Sequence, residues 1–177
     1  MPIVVVPISL LTFGKVIHFA YLNKNLKESA PYILLQFNTS FVWICYGLSW
    51  LYHESFKANT HTLGEWILYK LLGLAYELDV VGIFVYTWTL LEMGITDHDT
   101  NCKKAIILYR NISILIFPLI SYALYIGVSF AAAKNDYDEQ FGAKPSLSKE
   151  RVLALCLLFW NGLLVLLSCL HLAFFLG

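Results

Sequence analysis

Charge is scarce in this chain: only 14% of its 177 residues are Asp, Glu, Lys or Arg, and the 12 basic side chains cancel the 12 acidic ones. A soluble domain carries about 25% charged residues, so water is not the main solvent for which such a sequence is built. With no basic stripe, nucleic acid is excluded as a partner. Arginine is nearly missing. Arg110 and Arg151 are the only two, and most lysines sit near the ends of apolar runs, where their stems reach toward polar surroundings. Four cysteines occur without a CxxC pair: Cys45, Cys156 and Cys169 lie in apolar segments and Cys102 in a polar connection. That pattern signals neither a zinc site, a redox motif nor a disulfide framework, and the thiols read as small hydrophobes. A nucleophile elbow, a phosphate loop and a repeated carboxylate motif are also lacking. The expectation is a non-enzymatic chain with no metal and no cofactor.

What is abundant is apolar: 59% of residues are hydrophobic and the mean hydropathy is +0.67. Apolar runs cover 3–22, 32–52, 66–91, 105–130 and 152–176, each long enough as a helix to cross about 30 Å of hydrocarbon. The predicted fold is all-α, a polytopic transmembrane helix bundle of about five spans forming one domain over 1–177. The count becomes four if the first segment is interfacial, since Lys15 and His18 make it the least hydrophobic run. No basic residue precedes Ile3 and no small-residue cleavage site follows the run, so it reads as a retained segment.

The connections are short, and lysine and arginine divide evenly between the two sides of a five-span layout, so the positive-inside bias assigns no orientation. Aromatic residues gather near the run ends, for example Tyr21, Tyr32, Trp50, Tyr52, Trp66 and Tyr69, as expected of interface belts. In the fourth run Pro118 lacks an amide and should bend the helix. Ala123, Gly127 and Ala131 then recur every four residues, a small-residue stripe that admits a close helix from this chain or another. The sequons at Asn38 and Asn111 fall in or at the edge of spans, beyond the reach of glycosylation.

The third run carries Glu77 and Asp79 near its middle, where an unpaired charge costs about 2.5–3.5 kcal/mol even on lenient scales. Two residues apart on an α-helix is about 200° of rotation, so the two carboxyls face opposite ways and are not a paired acid and base. Lys15 lies at a matching depth, about 18 Å into its run against about 17 and 20 Å for the two acids. Asn161, mid-run in the fifth segment, is a second candidate partner. Lys15, Glu77, Asp79 and Asn161 thus form the expected intramembrane polar cluster, readable as a proton or cation path or, more plainly, as a neutral clasp fixing helix order.

Other patterns are weaker. Asp97-His98-Asp99 reads as a solvated turn, and His53, Glu54, His61 and Glu65 lack zincin spacing. His18 and His171 fall toward the same side under five spans, but one histidine pair does not make a haem site. The leading expectation is a non-catalytic accessory or structural subunit of a larger membrane complex, such as a respiratory or other energy-converting assembly, in contact with membrane lipids and other membrane subunits. The mitochondrial inner membrane is the favoured location, with a secretory-pathway membrane as the alternative. Competing readings are a small proton- or cation-coupled transporter or channel, and a fragment of a receptor-like seven-span protein.

Overall fold

The computed structural model describes residues 2–22, 26–56, 61–94 and 100–176, and every regular element among them is helical. They are α1 (Pro2–Leu22), α2 (Leu26–Phe56), α3 (Leu63–Leu74), α4 (Asp79–Gly94), α5 (Thr100–Gln140) and α6 (Leu147–Leu176), with a single 3-10 turn, Ala75–Leu78, joining α3 to α4. The third apolar run is therefore not one helix. Among the described residues two helices are long and apolar enough to cross a membrane, α5 over Ile107–Gln140 and α6 over Leu147–Phe174. The interruption divides the third run into helices of 12 and 16 residues, each shorter than the roughly 17–25 residues a span requires.

Local chemistry explains where several elements begin and end. Thr62 caps α3 reciprocally: its hydroxyl accepts from the Glu65 amide at 3.3 Å, while the Thr62 amide donates to Glu65 Oε2 at 2.7 Å. These bonds, the backbone one first, hold the Glu65 carboxyl below the usual glutamate range. α5 outruns the apolar stretch 105–130 because Ala131, Ala132 and Ala133 are strong helix formers and Lys134 pairs with Asp138 one turn on, at 3.2 Å. It stops at Gly142, whose φ of 73° is the left-handed conformation. There the amides of Ala143 and Gly142 donate to the carbonyls of Asp138 and Glu139, both at 2.9 Å, closing the last turn. Pro118 does not break α5, which continues through it.

The bundle is organised around the interrupted rod. α3 packs chiefly on α5, whereas α4 packs chiefly on α6 and α2, so the rod changes neighbours at the 3-10 turn. α4 buries Val81, Phe84, Val85, Trp88 and Leu91, the i, i+3, i+4, i+7 and i+10 positions of one helix face, against Val42 of α2, Tyr125 of α5 and Leu164 of α6. α5 and α6 are joined where Trp160 Nε1 donates to the buried Ser121 hydroxyl at 2.9 Å and its ring meets Phe117 edge-on at 5.4 Å. α1 packs mainly on α2, with the rings of Phe13 and Phe37 5.2 Å apart.

A polar latch closes one end. Gln140 accepts from the His61 amide at 3.0 Å and from Trp66 Nε1 at 3.2 Å, and donates to the His61 carbonyl at 3.1 Å. Lys70 of α3 pairs with Asp136 of α5 at 2.6 Å, and Asn135 donates to Glu150 of α6 at 2.6 Å. The start of α3, the end of α5 and the start of α6 are thereby held together by directional bonds rather than by packing alone.

Candidate functional site

The 3-10 turn sits at mid-length of the bundle. Asn161, which contacts it, stands about 20 Å from either end of the apolar stretch Leu147–Phe174 of α6 at 1.5 Å per residue. Leu74 leaves helical geometry, with φ −95° and ψ 1°, and the Asp79 amide turns back to the Tyr76 carbonyl. Such tightening misaligns the regular ladder and frees carbonyls that then need donors from elsewhere.

Three neighbouring helices supply them. From α2, Asn38 Nδ2 donates to the Leu78 carbonyl at 2.9 Å. From α5, the Tyr125 hydroxyl donates to the Leu71 carbonyl, and the Tyr122 hydroxyl donates to Asn38 Oδ1 at 2.8 Å, fixing the amide that does the pinning. From α6, Asn161 Nδ2 reaches both the Glu77 carbonyl at 3.3 Å and Glu77 Oε2 at 3.1 Å. Asn38 is 1% exposed, so its bond to the Leu78 carbonyl forms out of solvent. Asn161 is also buried, and its Oδ1 has no donor among the described residues.

Of the residues singled out by sequence, Glu77 and Asn161 are thus brought together. Asp79 is not part of that contact. It lies on an outward stripe with Tyr76, Ile83 and Tyr86, all exposed, and its carboxylate has no hydrogen bond or ion pair among the described residues. It lines an open hollow of about 380 Å³ with Leu35, Asn38, Thr39, Gly82, Ile83 and Tyr86. Lys15 is exposed on α1 and pairs with neither acid. Two of the three residues of the small-residue stripe turn toward this chain's own helices. A Cβ on Gly127 would stand 3.7 Å from Leu153 of α6, and Ala131 borders a cleft between α3 and the start of α6, while Ala123 is exposed.

The histidines do not converge. His171 is buried beneath Trp88 and Phe84, ring centroids 4.9 and 5.5 Å away, with Nδ1 facing Thr87 Oγ1 at 3.3 Å and Nε2 facing the Tyr109 hydroxyl at 3.4 Å. His18 is exposed on α1. His53 Nδ1 meets the Tyr69 hydroxyl at 2.9 Å, and His61 lies 3.8 Å from Glu65. Among the described residues no group of three or more His, Cys, Asp and Glu side chains gathers in metal-binding geometry. Asp97, His98 and Asp99 lie outside the described residues.

The roles of Asn38, Tyr122 and Tyr125 are not evident from the sequence, where the one signal is Asn38 itself, an amide in the middle of an apolar run that also forms an unusable sequon. The arrangement defines a class: an all-helical bundle with two helices of membrane-spanning length and an interrupted central rod clasped by polar side chains. Compared with protein-family models, curated proteins and solved structures, the chain matches none.

Proposed function

We propose that this chain is a non-catalytic multi-pass membrane protein, a five-pass bundle in which the α3–α4 rod crosses as one interrupted span, and that it serves as a structural subunit of a larger membrane assembly. The observation that carries the proposal is the outward-facing carboxylate of Asp79 at mid-height, which has no counter-ion among the described residues. A carboxylate facing hydrocarbon without a counter-ion is disfavoured by roughly 2.5–3.5 kcal/mol, so such a face is built to be covered. The apolar exterior supports a lipid setting, since Leu115 and Phe159, mid-length on α5 and α6, are 72% and 78% exposed. The membrane in which it resides is proposed to be the mitochondrial inner membrane, with a secretory-pathway membrane as the competing site.

The test is a native gel of solubilised source membrane with mass spectrometry of every band containing the chain. Comigration with a complex far larger than 20.2 kDa is the expected result, and a solitary small band refutes the reading. One observation favours a second reading, a small proton- or cation-coupled transporter. Interrupted helices with mid-depth acids are the usual architecture of transport sites, and the turn at Glu77–Asp79 has that form. Unchanged proton and cation flux in liposomes after Glu77→Gln and Asp79→Asn eliminates it.

A further inference from the structure

Two opposite charges face outward on the same side of the bundle, and neither has a counter-ion among the described residues of its own chain. Asp79 borders the hollow lined by Thr39, Gly82 and Tyr86. A second hollow of about 320 Å³ lies between Ile8, Ser9 and Thr12 of α1 and Thr39 and Trp43 of α2. Thr39 borders both, so the two hollows open side by side across α2. Lys15 follows Thr12 by three residues and Ile8 by seven, a spacing that keeps all three on one helix face.

The heights of the two charges also agree. Phe13 contacts Phe37, and the adjacent Asn38 reaches the Leu78 carbonyl. Counting along the helices from these contacts and from Gly82, which lies against Leu35, Asn38 and Thr39, Lys15 and Asp79 are level to within about two helical turns, roughly 5–10 Å, a gap the long lysine stem can span.

The geometry points to this face as a twofold interface between two copies of the chain, closed by reciprocal ion pairs between Lys15 of one copy and Asp79 of the other. A twofold axis parallel to the helices preserves every residue's height and exchanges left for right. It places the α1 flank of one copy against the α4 flank of its partner, and the same contact repeats on the other side. Exposed Ile83 and Tyr86 line the Asp79 hollow and exposed Ile8 and Trp43 the neighbouring one, supplying apolar contact on the same face. A foreign basic helix is the competing occupant of the Asp79 hollow, but a second copy of this chain satisfies Lys15 on the same face as well and needs no further component. The inference rests on the reading of the chain as membrane-spanning, where neither charge can be neutralised by water.

The test uses two differently tagged copies of the full chain, co-expressed in one membrane and solubilised in mild detergent. Wild-type copies should co-purify. Lys15→Asp paired with itself, and Asp79→Lys paired with itself, should each lower recovery of the second copy roughly tenfold or more. Mixing a Lys15→Asp copy with an Asp79→Lys copy should restore recovery to within about threefold, because both pairs are then attractive again. That rescue also demonstrates that each variant folds. Wild-type copies that fail to co-purify overturn the inference, as do like-with-like variants recovered at wild-type levels. Failure of the mixture to recover overturns it too, provided both variants remain in the membrane with wild-type helicity. Capture of a different membrane protein without the second copy overturns the inference and leaves the assembly reading standing. Release of the chain by an alkaline carbonate wash removes the membrane reading beneath both.

Discussion

Replacing Asn38 with alanine removes two bonds that meet at one amide, the donation to the Leu78 carbonyl and the acceptance from the Tyr122 hydroxyl. Interhelical hydrogen bonds in bilayers are worth about 0.6 kcal/mol on average and about 1.7 at most, so the pair accounts for roughly 1–3 kcal/mol. The upper part of that range applies here. Asn38 is 1% exposed, and the orphaned carbonyl belongs to a 3-10 turn whose ladder is already weakened, so no regular helical donor replaces the lost one. Tyr122→Phe removes one of the two bonds and should cost roughly 0.5–1.5 kcal/mol. Equilibrium unfolding in mixed micelles, followed by helical circular dichroism, measures both variants and the double variant. A coupling energy of about 0.5 kcal/mol or more between the two positions is expected. Asn38→Ala within about 0.5 kcal/mol of wild type, or a cycle that is strictly additive, would refute the claim that side chains from other helices hold the turn in place.

The other consequences are more local. Gly142→Ala introduces a Cβ at φ 73°, a backbone conformation that costs L-residues about 1–2 kcal/mol. Since no heavy atom lies within 4 Å of that Cβ, the loss should register as fraying of α5 near Gln140 in hydrogen exchange, without disturbance at the Asn38 clasp. Glu65, with its carboxyl held below the ordinary range by the Thr62 cap, contributes to the start of α3 only while ionised. That contribution is present above the usual glutamate pKa and is lost as pH falls through the depressed one. Amide protection at the first turn of α3 should decline on acidification in wild type and stay flat with pH in Glu65→Gln, and a flat wild-type profile would contradict the cap.

The clasp also explains why two acids two residues apart have separate fates. Rotation around the rod sends Glu77 toward Asn161 of α6 and Asp79 to the outside, beside α2. One is held by an amide from the same chain. The other has no hydrogen-bond or ion-pair partner among the described residues. The interruption also lets the first half of the rod lie on α5 and the second half on α6, a change of partners that a straight helix makes less easily.

Helical character and the scarcity of charge are sums over neighbouring residues, and for that reason the all-helical class and the apolar runs were legible in the sequence alone, whereas of the five expected spans only α5 and α6 are long and apolar enough to cross a membrane among the described residues. Asn161 was legible as a polar group able to meet one of the two acids, but not which one, and Lys15, whose depth matched both, pairs with neither. The break at Ala75–Leu78 was not legible. No proline marks it, and Ala, Tyr, Glu and Leu in that order are compatible with an unbroken α-helix. What sustains the turn is donors from Asn38, Tyr125 and Asn161, which lie on three other helices and far along the chain. The small-residue stripe was visible as a pattern, but only packing shows that Gly127 receives Leu153 of the same chain. Composition and periodicity, being local, determined that this chain is a helical bundle with apolar surfaces. The tertiary structure decided where one helix stops being regular and which acid is left facing outward, because both depend on contacts between residues that no local window contains.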